Sequence, residues 1–85
     1  MEYLIVSFRS RSETIGFYKF ISRQGYNAEV TNTPKEAGVG CGLSVKVSKN
    51  IYGALRYLLM QYNGKSFAGI FKVTTSNRGK RVQPV

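Results

Sequence analysis

Along this chain the periodicity of apolar residues switches between that of a strand and that of a helix in a set order, and the order restricts it to few folds. Glu2–Phe8 is a run of β-branched and aromatic residues. Its apolar side chains fall on both faces, Tyr3 and Ile5 on one and Leu4, Val6 and Phe8 on the other, which suits a central strand. Ser10 and Glu13 have the spacing of a capping box. They open a helix on which Thr14, Phe17, Tyr18 and Ile21 recur, with Gly25 as the residue that ends it. Gly16 weakens the middle of that helix by up to ~1 kcal/mol relative to Ala, a cost that close approach to the sheet would explain.

Asn27–Thr31 reads as a second strand, closed by Pro34, which lacks the amide proton a ladder needs. Lys35–Gly42 is a loop. Leu43, Val45 and Val47 alternate with Ser44, Lys46 and Ser48, the pattern of a third strand with one wet face. Asn50 is placed to cap a second helix. Ile51, Ala54, Leu55, Leu58, Leu59 and Tyr62 then follow i, i+3, i+4 spacing, the strongest helix signal in the chain, and Asn63-Gly64 terminates it. Phe67–Thr74 is a fourth strand.

The order β-α-β-β-α-β predicts an α+β, ferredoxin-like sandwich: a four-stranded antiparallel sheet with two helices on one face and the other face open. Residues 1–75 form one domain in this reading, and 76–85 a basic, mobile C-terminal tail. A chain of 85 residues has room for one core beneath a sheet but not for a deep enclosed active site.

Composition then removes several function classes. No apolar run approaches the ~20 residues of a membrane span, and Met1–Phe8 is too short and wrongly flanked for a signal peptide. A cytoplasmic protein without membrane contact is expected. The single cysteine cannot form an internal disulfide, which agrees with a reducing compartment. One cysteine and no histidine argue against a protein-only zinc site, and no cofactor is expected. The missing histidine also removes the usual general base. Glu2, Glu13, Glu29 and Glu36 are scattered, there is no Asp, and no Walker-type phosphate loop is present.

The glycine-rich loop holds the most chemically suggestive residue. Cys41 lies in Gly38-Val39-Gly40-Cys41-Gly42, just before the third strand. Flanking glycines permit positive φ and leave the sulfur little cover. Successive amides in such a turn form a nest for an anion. Lys35 is near in sequence, and no acid follows Glu36, so both field and donors favour a thiolate. Against this stands the general rule that a free cysteine is most often a small buried hydrophobe.

Thr33-Pro34-Lys35 followed by Cys41-Gly42-Leu43-Ser44-Val45-Lys46 resembles the signature of a family of small bacterial proteins described as selenium/sulfur carrier-like. Tyr3–Phe8 and Gly69-Ile70-Phe71-Lys72 are similar to that family's first and last strands, so the resemblance covers about residues 2 to 73. It implies that Cys41 accepts sulfur or selenium as a persulfide-type adduct. Gly40 and Gly42 would grant access, with Lys35, Pro34 and the loop amides around the anion. The implied partners are sulfur or selenium donor and acceptor proteins, and the implied role is that of a stoichiometric carrier rather than a turnover enzyme. Family members often place small hydroxyl residues before the cysteine, where this chain has Val39 and Gly40.

The net charge of +9 favours anionic partners and supports a different reading, a basic module for nucleic acid or an acidic protein with a structural cysteine. Arg9 and Arg11 flank Ser10 at a helix start, a candidate anion site, and Arg78, Lys80 and Arg81 form the densest basic cluster. Charge runs usually only solvate a surface. Base stacking would need sheet aromatics such as Tyr3, Phe8, Phe67 and Phe71 to be free, whereas a small domain tends to bury them in its core or a dimer interface. The third strand carries no aromatic, so nucleic acid is the less favoured partner. The open sheet face is also suited to a homodimer.

Overall fold

A computed structural model describes residues 1–85. Five strands and two α-helices occur: β1 (Glu2–Phe8), α1 (Arg11–Arg23), β2 (Ala28–Asn32), β3 (Leu43–Val47), α2 (Tyr52–Tyr62), β4 (Phe67–Ser76) and β5 (Gly79–Pro84), with 3-10 turns at Lys35–Ala37 and Lys49–Ile51. The sheet order is β2-β3-β1-β4-β5, and every neighbouring pair is antiparallel. No helix is long and apolar enough to cross a membrane.

The expected four-stranded ferredoxin-like sheet is therefore incorrect: the sheet has five strands. The fifth comes from the segment read as a mobile tail. Ser76-Asn77-Arg78-Gly79 turns the chain, with Gly79 at φ +117 where a side chain would be strained. Phe71–Ser76 then pair residue for residue with Gly79–Pro84. Val82, the one large apolar residue facing this side of the sheet from β5, joins Ile5, Phe71 and Val73. One apolar residue among Lys80, Arg81 and Gln83 is too little alternation to signal a strand.

Both helices lie on one face. Leu4, Val6 and Phe8 of β1, Val45 and Val47 of β3 and Ile70 of β4 pack with Phe17, Ile21, Leu55 and Leu58. Here the period-two and period-3.6 stripes read from the sequence meet. The opposite face, expected to be open, is crossed by the loop after β2: Ala37 and Val39 cover Ile5, Phe71 and Val73. These three are apolar and at most 8% exposed, so the covering loop removes surface that water would otherwise wet.

Gly16 has a specific cause. Tyr62 reaches across from α2 and its hydroxyl donates to the carbonyl of Glu13 at 2.9 Å. A Cβ on residue 16 would overlap that hydroxyl. The helix thus gives up propensity to admit a hydrogen-bonded aromatic. The second helix starts differently from expectation. Asn50 does not cap it: Ser48 caps the preceding 3-10 turn, accepting from the Asn50 amide at 3.2 Å, and the α-helix follows from Ile51 without a side-chain cap.

At the start of α1, Ser10 accepts from the Glu13 amide at 3.2 Å as a cap should. The Glu13 carboxylate does not complete a capping box. It accepts from the amide and hydroxyl of Ser66 at 2.8 and 2.7 Å, while Ser66 Oγ accepts from the Ser10 amide at 3.0 Å. This clasp ties the α2–β4 loop to the first turn of α1. Those hydrogen bonds from Ser66 hold the Glu13 carboxyl below its ordinary value. The Lys49 hydrogen bond and Lys72 charge do the same for Glu2. Both groups have folded pKa values below unfolded ones, so their stabilisation is complete above the unfolded value and is lost as pH falls through the folded one. The urea midpoint is expected to be flat near neutrality and to drop below about pH 4.5. Glu13→Gln should flatten part of that drop, and an identical acid limb in the variant would show that the clasp contributes nothing.

Candidate functional site

Cys41 sits where three elements converge. Its amide donates to the Phe8 carbonyl at 3.1 Å, at the end of β1. Gly42 accepts from the Thr33 amide at 2.9 Å, at the end of β2. The sulfur itself lies 3.5 Å from Thr14 Oγ1, in the first turns of α1, and 3.7 Å from the Leu43 carbonyl. It is half-buried. The loop reaches this position because residue 40 has no side chain: its φ is +93, and a Cβ would stand 3.3 Å from the Phe8 carbonyl oxygen.

Beneath the loop run three hydroxyls. Ser7 Oγ and Ser44 Oγ are 2.8 Å apart, and Ser44 Oγ and Thr33 Oγ1 are 2.6 Å apart. Ser7 and Ser44 are fully buried, and the chain satisfies each of them. It stitches β1, β3 and the exit of β2 together at the end of the sheet that carries Cys41.

The surroundings act on the Cys41 thiol in both directions. Burial alone would push the Cys41 thiol up. The Thr14 hydroxyl, the backbone at Leu43 and Cys41 itself, and the Arg11 charge outweigh it, and the thiol lies below its ordinary value. Thr14 is the pivotal partner. Its hydroxyl also lies 3.0 Å from the Ser10 carbonyl and has a single proton to give. While sulfur is a thiol, the S–H points to Leu43 and Thr14 donates to Ser10. Donation to a thiolate would turn that one proton from the Ser10 carbonyl to sulfur. The Ser10 carbonyl still accepts from the Thr14 amide at 3.0 Å, so the rotation orphans no backbone group. The positive end of the α1 dipole adds to the same effect.

The residues singled out in the sequence separate into two places. Cys41, Gly40 and Gly42 are together with Arg11, which sequence reasoning could not place beside the cysteine. Pro34 and Lys35 line a shallow depression of about 240 Å³ with Gly40 and Gly42. Arg9 is exposed on the β1–α1 turn, its amide bonded to the Ser66 carbonyl at 2.7 Å. Arg78, Lys80 and Arg81 lie on the β4–β5 hairpin, near Glu2 at the start of β1, whereas Cys41 is held by Phe8 at its end. The largest groove, about 570 Å³ between α2 and the β4–β5 edge, is not lined by Cys41.

Thr14 and Ser44 were not identified as site residues in the sequence. The available signal was a hydroxyl at a position of α1 that otherwise reads as buried and apolar. Three of the four aromatics considered for base stacking are already engaged. Phe8 is in the core and Phe71 is covered, and Lys46 Nζ sits 4.4 Å from the centroid of the Tyr3 ring. Phe67 alone stays substantially exposed.

Fold and site together define a small α+β domain that holds one half-buried cysteine at a sheet end, beside the start of α1. The chain belongs to the family described as "Putative Se/S carrier protein-like", which matches residues 2–72. Comparison with curated proteins and with solved structures finds no match.

Proposed function

We propose that the protein carries a single sulfur or selenium atom on Cys41 and passes it from a donor protein to an acceptor protein. The observation that supports this most is the half-buried sulfur held between Thr14 and Leu43 beside Arg11. The Cys41 thiolate attacks the terminal sulfur of a donor persulfide. One S–S bond forms at Cys41, the donor's S–S bond breaks, and the donor leaves as a thiolate. Oxidation state is conserved, so no external oxidant or reductant is needed. The added atom stands about 2 Å beyond Sγ, and its anionic form is favoured by the Arg11 charge and the α1 N-terminus. Gly40 and Gly42 leave the loop around the sulfur without side-chain cover, whereas Pro34 and Lys35 line a depression that Cys41 does not reach. A selenium atom follows the same sequence. The protein turns over no substrate of its own and acts as a stoichiometric carrier.

The test is the rate of Cys41 alkylation against pH, followed by mass spectrometry after exposure to a persulfide donor. Fast alkylation below pH 8 and a gain of one sulfur are expected, with neither in Cys41→Ser. Thr14→Val, which keeps the shape and removes the donor, should move the alkylation midpoint to higher pH and slow the reaction several-fold at neutrality. A thiol that reacts only at or above the pH of a free cysteine, or that gains no sulfur, would sink the proposal.

A further inference from the structure

The basic cluster at the far end of the sheet has a structure of its own. Lys72, Thr74 and Ser76 of β4 face the same way as Arg81 and Gln83 of β5, and with Arg78 and Lys80 they line a groove of about 540 Å³ that contains no hydrophobic residue. Arg78, Lys80 and Arg81 are exposed and make no ion pair. The one acid in the groove, Glu2, is already held by Lys49 and Lys72 at 3.1 and 3.8 Å. The positive potential of the hairpin is therefore not neutralised within the chain. The family match ends at residue 72, so Arg78, Lys80 and Arg81 lie outside the part that the carrier reading accounts for.

We infer that this hairpin groove binds the phosphodiester backbone of a nucleic acid. Its lining is the inventory that phosphate contacts use: Arg and Lys charges with Thr, Ser and Gln donors. The groove has no apolar lining on which a protein segment could bury side chains, so an acidic segment would be held by charge alone. Because the groove is lined by no aromatic, and the exposed Phe67 pairs with Phe8 at the other end of β1, the contact reads backbone and not base identity, and sequence preference is expected to be absent. The groove and Cys41 are at opposite ends of β1, so both can be occupied at once.

The experiment is fluorescence anisotropy with short single-stranded RNA and DNA oligonucleotides of mixed sequence, over a series of salt concentrations. The full chain should bind both. Neutralising the hairpin with Arg78→Gln, Lys80→Gln and Arg81→Gln together should weaken binding at least about tenfold at low salt and make the log–log salt slope shallower by about 2. Neutralising Lys19, Arg23 and Arg56 instead gives the same net charge of +6, three below the +9 of the parent, and should change binding little. Arg81→Gln alone, which leaves the turn intact, should give a smaller loss in the same direction. Cys41→Ser should bind like the parent, which separates this inference from the carrier reading. Equal losses in the two triple variants, displacement of the RNA by polyglutamate at matched charge, or no binding at low salt would overturn it.

Discussion

Replacing Phe17 with Ala is expected to cost about 3–5 kcal/mol, a large share of the roughly 5–10 kcal/mol that holds a domain of this size together. Phe17 is fully buried and is the ring through which α1 meets both the sheet and α2. Its centroid lies 5.3 Å from Phe8 and 5.4 Å from Tyr62 in an edge-on arrangement, with Phe20 stacked at 6.5 Å. Truncation removes the transfer energy of the ring and leaves a cavity that Phe8 and Tyr62 are poorly placed to fill, since Tyr62 is anchored by its hydrogen bond to Glu13. The consequence extends to the cysteine, because Phe8 both packs on Phe17 and holds the Cys41 amide through its carbonyl. The urea midpoint should fall by about half, and alkylation of Cys41 should shift toward that of an unfolded thiol without reaching it. A shift equivalent to less than ~1 kcal/mol would mean that α1 is not seated on β1 in this way.

Gly40→Val is the second substitution with a large expected effect, and it acts on the site directly. At φ +93 a β-branched residue is strained, and its Cβ would press on the Phe8 carbonyl and on Ser7. The loop relieves both by lifting from the sheet end, which breaks the 3.1 Å bond from the Cys41 amide and draws the sulfur away from Thr14. A stability loss of about 1–3 kcal/mol is expected, together with a rise of the thiol toward its ordinary pKa and several-fold slower alkylation near neutrality. Gly38→Ala is the matched control. It also sits at positive φ, +66, but a Cβ there meets nothing within 4 Å. It should cost about 1 kcal/mol of backbone strain and leave the alkylation rate unchanged. If Gly40→Val alkylates like the parent, the loop's contact with β1 is not what positions the sulfur.

The parts of this protein legible in its sequence are those set by contacts between near neighbours. The strand at Leu43–Val47, the apolar stripe from Ile51 to Tyr62, the Ser10 cap and the Asn63 stop each depend on residues within a few positions, and each is where local pattern places it, although Ser44, expected on a wet face, is fully buried. The glycine flanks of Cys41 were visible for the same reason. Tertiary structure alone decided the rest. Lys80–Gln83 carries too little apolar alternation to announce a strand, and becomes one because β4 presents an unpaired edge and Val82 can close over Val73. The loop at 35–39 covers a sheet face because Ile5, Phe71 and Val73 converge there from distant parts of the chain. Thr14 meets Cys41 across 27 positions of sequence, and Arg11 comes with it because α1 begins at the same end of the sheet where β3 starts. Local pattern therefore specified the elements from β1 to β4 and singled out the thiol. The hydrogen-bond and charge environment that lowers its pKa came from non-local contacts, which no short-range pattern encodes.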